Sequence, residues 1–541
     1  MFDTDRKFWG WGVSSFPFPQ PLLDRVRALL GARFGVAPPA ARPAPELAAI
    51  RIPAPAIVVP AQFADIVTAE RYHRAAHTYG KAFRDVVRAL DGDFECAPDL
   101  VAYPRDEDDV ARLLRWAGAT GVAVIPFGGG SSVVGGVEAD RETRGRFAGV
   151  LSLDLCRLDR VLAVDRVSRC ARVQGGTYGP ALEAQLKPHG YTLRHFPQSF
   201  EFSTVGGWIA TRAGGHYATL YTHIDDFVES VRMVTPAGVL ETRRLPGNGA
   251  GPQEDRLVLG SEGAFGVITE AWLRVQDTPR CRAGGTVSFA TFEQGAAACR
   301  ALAQSGLFPA NARLIERDEA VFMGAGDGSH HILVLGFESA LLPQDDKLSA
   351  ALAICEASGG KARKAAAGGN AGGDDRASAS DDSADQWKES FLRAPYLRDE
   401  IVRMGYVCET FETCTTWANF PALDAAVRAA AQSALQEHCG AGLVTCRFTH
   451  LYPDGPAPYY TIIAPSRPGR QLAQWDAIKD AVSRALIEQG GTITHHHAVG
   501  KDHRPYYLMQ NAPLSLAMLE AAKGAVDPQG IMNPGTLLPP A

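Results

Sequence analysis

Apolar and polar positions along the 541-residue chain follow two rhythms, and the switches between them mark out its elements. Between Asp106 and Thr120 apolar residues recur three and four apart, which predicts an amphipathic helix. Val122-Ala123-Val124-Ile125 is a short unbroken apolar run and predicts a buried strand. Val101-Ala102-Tyr103 and residues 150–155, 161–164 and 170–173 predict further strands. Upstream, residues 63–90 have helical spacing, and residues 38–55 read as an extended, proline-rich linker. This first α+β block runs to about Val275. A second begins with a strand at 286–289, a helix at 292–305, a strand at 331–337 and a helix at 345–357. Order resumes at Trp387 and runs to Gly440. Strands at 445–452 and 459–463 follow, and a helix at 471–489 leads into a strand-like run, Gly490-Gly491-Thr492-Ile493-Thr494.

Residues 359–385 are Gly, Ala, Ser and Asp with almost no large apolar side chain, too little to offset ordering entropy. They predict a mobile loop inside the second domain, either a gate or membrane contact for the active site or a tolerated insertion. The expected organisation is an N-terminal segment with a helical region (1–94), a first domain (95–278), a second (279–480) and a C-terminal segment (481–541) that returns to the first.

Composition narrows the function classes. Hydrophobic residues make up 46% and charged residues 21%, ordinary for a soluble globular protein. A net charge of -6 offers no basic field, so nucleic acid is not the expected partner. Ten scattered cysteines without a C-x-x-C pair suit reduced thiols in a cytoplasm. No apolar run is long enough to span a bilayer, and Leu537-Leu538-Pro539-Pro540-Ala541 is not a peroxisomal address. The expected location is cytoplasmic, with room for peripheral membrane contact.

The candidate chemistry lies in glycine-rich turns and one histidine run. Phe127-Gly128-Gly129-Gly130-Ser131-Ser132-Val133 directly follows a strand, where glycines let backbone N–H groups approach a diphosphate; a tight turn is the plainer reading. It is neither the G-x-G-x-x-G of a Rossmann domain nor a Walker loop. Gln198-Ser199-Phe200-Glu201-Phe202-Ser203-Thr204, with Thr211-Arg212-Ala213-Gly214, supplies a second turn rich in small and hydroxyl residues. Glu262-Gly263-Ala264-Phe265-Gly266-Val267-Ile268 supplies a third, and Val526-Asp527-Pro528-Gln529-Gly530-Ile531-Met532-Asn533-Pro534-Gly535 a closing turn. In this order and spacing they resemble the vanillyl-alcohol-oxidase-type flavoprotein family. The resemblance implies an α+β fold, with a two-subdomain FAD-binding domain and an αβ cap domain for substrate. It implies that these turns hold FAD. No residue asks for a covalent flavin link, so non-covalent FAD is expected.

Two branches of that family compete. In FAD-dependent 2-hydroxy-acid dehydrogenases, a G-H-x-G-D-G-N-x-H motif and a later S-G-E-H-G-I-G supply imidazoles and a carboxylate for a divalent metal. Here the first region reads Thr449-His450-Leu451-Tyr452-Pro453-Asp454-Gly455-Pro456-Ala457-Pro458-Tyr459, without the second His. The later motif becomes Thr494-His495-His496-His497-Ala498-Val499-Gly500, with His496 at the position of the Glu. A hard cation loses a carboxylate and an imidazole together, so no metal is expected. The other branch, alkyldihydroxyacetonephosphate synthase, is similar from end to end. Trp9-Gly10-Trp11-Gly12, residues 202–209, Tyr396-Leu397-Arg398-Asp399, Phe411-Glu412-Thr413, Cys446-Arg447 and the histidine run carry that similarity. It implies exchange of the acyl group of acyl-dihydroxyacetone phosphate for a long-chain alcohol without net redox, and a homodimer.

Residue roles follow from that resemblance. Tyr459 matches the catalytic Tyr, with core packing or a one-residue shift to Tyr460 as the alternatives. Its phenol, ordinarily near ~10, needs positive charge or His neighbours to exchange protons at neutral pH. Arg398 matches an Arg that contacts the anionic headgroup, against a surface ion pair with Asp399 or Glu400. Arg313 resembles another important arginine. His495, His496 and His497 would polarise substrate and orient Tyr459, with His496 facing the reaction. If the run continues a strand, His495 and His497 share one face and His496 takes the other; a solvated loop is the other reading. A flavin-binding protein without catalysis is the third functional class.

Overall fold

The computed structural model describes residues 5–16, 18–221, 223–324, 326–364 and 394–540. Helix Glu107–Thr120 shows how local sequence sets an element. Asp106 caps it through the Asp109 N–H, three acidic residues sit in its first turn, and Gly121 ends it at φ 67°. Its apolar stripe, Val110, Leu113, Leu114 and Ala117, is buried.

It feeds a four-stranded sheet of β1 (Val67–Thr68), β2 (Leu100–Ala102), β3 (Val122–Phe127) and β4 (Gly149–Asp154), in the order β1-β2-β4-β3. β2 and β3 both run parallel to β4. β5 (Val161–Asp165), β6 (Cys170–Gln174), β8 (Val228–Thr235), β9 (Gly238–Glu241) and β10 (Val267–Arg274) form an antiparallel sheet in the order β5-β6-β10-β8-β9. β7 (Tyr191–Thr192) pairs with β11 (Gln276–Asp277). A seven-stranded antiparallel sheet is built from β12 (Cys281–Phe289), β13 (Asn311–Ile315), β14 (His331–Ser339), β15 (Lys361–Lys364), β16 (Tyr406–Glu412), β17 (Leu443–Leu451) and β18 (Pro456–Pro465). Its order is β15-β12-β14-β13-β17-β18-β16.

Alternation across this large sheet positions the site. Val444, Cys446, Phe448, Tyr460 and Ile462 belong to one apolar core with helices Phe420–Cys439 and Gln471–Glu488. Thr445, Arg447, Tyr459 and Thr461, on the other face, line a cavity shared with the glycine turns. A bulge between Phe448 and His450 turns His450 to the cavity as well.

Three expectations change. Residues 63–90 are not one helix but a strand, β1, and two helices, Arg71–Ala76 and Phe83–Leu90. The break includes Gly80, where a Cβ would overlap the Ser132 carbonyl, so the chain presses against the first glycine turn. The N-terminal block holds a helix, Gln20–Phe34, which buries only Val26 and Leu30, a stripe too thin to register as periodicity. Within the expected loop 359–385, residues 361–364 pair with β12 as an edge strand; 365–385 lie outside the described residues.

Candidate active site

The three glycine turns converge on one cavity. β3 ends at Phe127, and a Cβ on Gly129 would overlap the Phe202 carbonyl, so the second turn lies directly on the first. Thr204 caps the following helix through the Gly207 N–H. In the third turn Glu262 holds φ 50°, a left-handed conformation fixed by its N–H bond to Ala210 O at 2.9 Å. The Asn533 amide bridges the Gly136 and Glu262 carbonyls at 2.9 and 2.7 Å, which binds the closing turn into the assembly. A close-packed cradle of this kind, with side chains held back from the turn, suits an FAD diphosphate. Phe127 to Val133, Gln198, Ser199, Ser203, Thr204, Thr211, Ala213, Gly214, Glu262, Gly263, Gly266 and Ile268 line the cavity. The other expected cofactor residues do not. Phe200 stacks on Trp208, Phe202 meets Trp11 edge-on, and Arg212 pairs with Asp225 at 2.7 Å. Glu201 is exposed, and Ala264, Phe265 and Val267 are buried in the cores beneath.

The histidine run is a turn, not a strand, and the expected alternation fails. Its organiser is the buried Glu412 carboxylate at the end of β16. Thr494 Oγ1 and the N–H groups of His495, His496 and His497 donate to it at 2.5, 2.5, 3.0 and 2.8 Å. Burial works against its charge, yet His496 and His497 beside it hold its pKa well below the usual carboxylate range. Wrapped in this way, His496 and His497 line the cavity. His495 turns to a second group: its Nε2 lies 2.8 Å from Tyr452 OH and 3.2 Å from His223 Nε2. Burial pushes the pKa of His497 down to about 3 and that of His223 to about 4, so both are neutral at pH 7.

Tyr459 stands opposite this turn, its ring centroid 6.1 Å from that of His496 and 5.5 Å from that of His497. The Arg447 guanidinium lies over its ring and pairs with buried Glu319. Burial raises the phenol pKa, and Arg447 only partly opposes this. Tyr460 points the other way, its OH donating to Asp424 at 2.9 Å.

Residues 98–243 match the family model described as "FAD binding domain", and residues 278–537 that described as "FAD linked oxidases, C-terminal domain". An alkyldihydroxyacetonephosphate synthase of Dictyostelium discoideum is 30% identical over 544 residues, covering 98% of this chain and 85% of that one. The chain belongs to the alkyldihydroxyacetonephosphate synthase family. A solved alkyldihydroxyacetonephosphate synthase structure superposes with a TM-score of 0.81 at 26% identity, covering 99% of both chains. A p-cresol methylhydroxylase structure, 14% identical, covers 96% of both at a TM-score of 0.65 and shares the fold. Like its family, the chain is an FAD-dependent enzyme.

Both arginines singled out through the alkyldihydroxyacetonephosphate synthase resemblance line the cavity. Arg398 does pair with Asp399, at 2.9 Å, but in the interior and not on the surface. Arg313 is 1% exposed; burial and then Arg447 push its pKa down to about 9, which leaves it charged at pH 7. Glu319, Arg447 and Trp11 line the cavity too, and no role was read for them in the sequence. For Arg447 the signal was present: β17–β18 pairing sets it opposite Tyr459. One ring nitrogen each from His450, His495 and His496 lie within 4.8 Å of one another, a possible cation ligand set among the described residues. No carboxylate of the hydroxy-acid kind completes it, because both Glu412 oxygens are taken up by N–H donors.

Proposed function

We propose that the chain exchanges the acyl group of acyl-dihydroxyacetone phosphate for a long-chain alcohol, forming an ether and releasing a fatty acid. The C–O bond from the substrate's terminal carbon to the acyl group breaks, and a C–O bond from that carbon to the alcohol forms. The alcohol's proton is matched by the departing carboxylate, so no electrons are transferred overall. The observation that carries this reading is the wall opposite the flavin cradle. It holds a phenol and two imidazoles where a hydroxy-acid dehydrogenase would set a metal and its carboxylate.

FAD, when bound, supplies a nucleophilic ring nitrogen beside the substrate carbon; the glycine turns would hold it. The rest falls to this chain's side chains. Tyr459, protonated at rest, hands its own proton to the facing imidazole of His496 or His497, takes one from the carbon next to the ketone, and later returns a proton to that carbon as the imidazole gives its proton back to the phenol. Arg313 stabilises the carboxylate as it leaves. Arg398 holds the phosphate. Phe322, Met323, Ile401, Leu443 and Ile463 give the cavity an apolar wall for the hydrocarbon chain and exclude water from the reacting carbon. Among the described residues no helix is long and apolar enough to cross a membrane. We propose that lipid reaches a homodimer through peripheral contact.

The test is incorporation of labelled hexadecanol into acyl-dihydroxyacetone phosphate with stoichiometric fatty acid release. Anaerobic bleaching of the flavin by a 2-hydroxy acid, with no alcohol incorporated, would replace this reading with the dehydrogenase one.

A further inference from the structure

The first glycine turn is held from behind by a side chain of the N-terminal segment. Residues 6–13 form a small hairpin in which Arg6 and Val13 pair antiparallel and the Lys7 N–H donates to Gly12 O at 2.9 Å. The hairpin is fastened at both ends. Near its tip the Trp11 N–H donates to buried Asp399 Oδ2 at 2.6 Å. Gly12, at φ 86°, leaves no room for a Cβ against the Tyr396 ring. At its base the Tyr72 hydroxyl donates to Arg6 O at 2.7 Å. The Arg6 side chain is thereby delivered to the glycine turn. One guanidinium nitrogen donates to Gly129 O and another to Tyr178 OH at 3.0 Å, and that hydroxyl donates onward to Gly128 O at 3.3 Å.

Two successive carbonyls of the turn are thus drawn to one side. In a planar trans peptide a carbonyl and the N–H of the next residue point in opposite directions, and among the described residues no peptide is cis. Drawing Gly128 O to Tyr178 and Gly129 O to Arg6 therefore turns the N–H groups of Gly129 and Gly130 away from both side chains. Both glycines are buried and line the cavity, whereas Arg6 and Tyr178 do not line it. Among the described residues neither N–H donates a hydrogen bond. Buried amides of this kind need an acceptor, and successive ones in a turn suit an anion. The guanidinium behind them adds a full positive charge at the distance of one peptide layer. Burial raises the Tyr178 phenol pKa, with Arg6 opposing, so the hydroxyl remains a donor. Tyr178 also bridges to Thr204, the residue that caps the helix of the second turn.

We propose that Arg6, acting through Tyr178 and the first glycine turn, is a positioning residue for FAD that aims the Gly129 and Gly130 N–H groups at the diphosphate and slows release of the cofactor. This role rests on FAD as the cofactor and not on the exchange chemistry. A protein that loses FAD faster without Arg6, yet incorporates no alcohol, would keep this role and lose the exchange reading instead.

Holoenzyme is diluted into flavin-free buffer at pH 7, and FAD release is followed by the rise in flavin fluorescence in wild type, Arg6→Met, Arg6→Lys, Tyr178→Phe and Lys7→Met. Thermal unfolding is recorded alongside. Lys7 belongs to the same hairpin, but its ammonium lies 5.4 and 5.8 Å from the ring centres of Trp9 and Tyr396 and not against the turn. The expected result is release about tenfold faster in Arg6→Met and about threefold faster in Tyr178→Phe. Arg6→Lys should fall between wild type and Arg6→Met, because an ammonium lacks the fork that reaches both acceptors, and Lys7→Met should release FAD at the wild-type rate. Wild-type release from Arg6→Met and Tyr178→Phe overturns the role, even with a lowered melting temperature, and leaves Arg6 a structural staple. Equal acceleration in all four variants overturns it as well, since the hairpin and not the guanidinium would then be responsible. If Arg6→Met does not fold, Arg6→Lys and Tyr178→Phe decide by the same criterion.

Discussion

The Arg447 guanidinium carbon lies 3.7 Å from the centroid of the Tyr459 ring, and the two residues are register partners on β17 and β18. The cation therefore covers the aromatic face while Glu319 holds its edge, and both members of that ion pair are nearly inaccessible to water. Arg447→Met should cost about 3–5 kcal/mol in denaturant unfolding, because Glu319 is left buried without its partner. Adding Glu319→Gln should restore much of that. Equal losses in single and double variants would mean that the pair is not coupled.

Tyr459→Phe keeps the ring and its stacking with Arg447 and removes the hydroxyl. Turnover in the alcohol-exchange assay should fall by about 10²–10⁴-fold at unchanged flavin content. Tyr460→Phe should leave turnover within a few-fold and lower stability by about 1 kcal/mol, since its hydroxyl serves Asp424. The reverse ranking would transfer the role to Tyr460.

Glu412→Gln replaces an acceptor of four donors by a group with one acceptor oxygen and two N–H groups of its own. A loss of about 2–4 kcal/mol is expected, together with loss of exchange activity as the histidine turn rearranges. In wild type the folded pKa of Glu412 lies below its unfolded value. Its contribution is therefore present above pH ~4.5 and disappears as pH falls through the folded value. Thermal unfolding from pH 6 to 3 should be steeper in wild type than in the variant.

Asp502 has the opposite sign. Burial raises its pKa to about 7, against the pull of Arg84 2.9 Å away. Its folded state favours the proton, so its stabilisation is complete below pH ~4 and is lost as pH rises through about 7. Asp502→Asn should flatten the decline in stability between about pH 4 and 7, an effect of at most about 4 kcal/mol. An unchanged pH profile would mean that Asp502 is ionised throughout.

Glu262 spends its two carboxylate oxygens on the Val499 and Gly500 N–H groups at 2.8 and 2.7 Å, so the third glycine turn also carries the histidine turn. Glu262→Ala should weaken FAD retention and exchange activity together. Loss of one without the other, measured by flavin absorbance and the exchange assay, would show that the two turns are independent.

What could be read in the sequence was what depends on local rhythm. Helix Glu107–Thr120 and β3 announce themselves through spacing, cap and glycine, so the first glycine turn falls where expected. Tyr459 was singled out by resemblance, with Tyr460 left as the alternative; as neighbours on a strand they face opposite sides, and Tyr459 is the one that lines the cavity. Relationships over long sequence distances were not legible. The histidine run looked like the continuation of a strand because nothing within ten residues reveals Glu412, more than eighty positions upstream. The helical composition of residues 63–90 concealed a break imposed by Ser132, whose carbonyl leaves no room for a Cβ at Gly80.

Asn533 and the histidine turn come from the same late stretch of sequence, and it both seals the flavin cradle and supplies its opposing wall. During synthesis the cradle's glycine turns, Gly128 through Gly266, emerge about 370 to 230 residues before His497 and can fold around a cofactor before the histidine turn faces it. Met532 then adds itself beside Val124 of β3. A nascent chain could thus hold a flavin without acting on a lipid, and chemistry would begin only when the final segment closes.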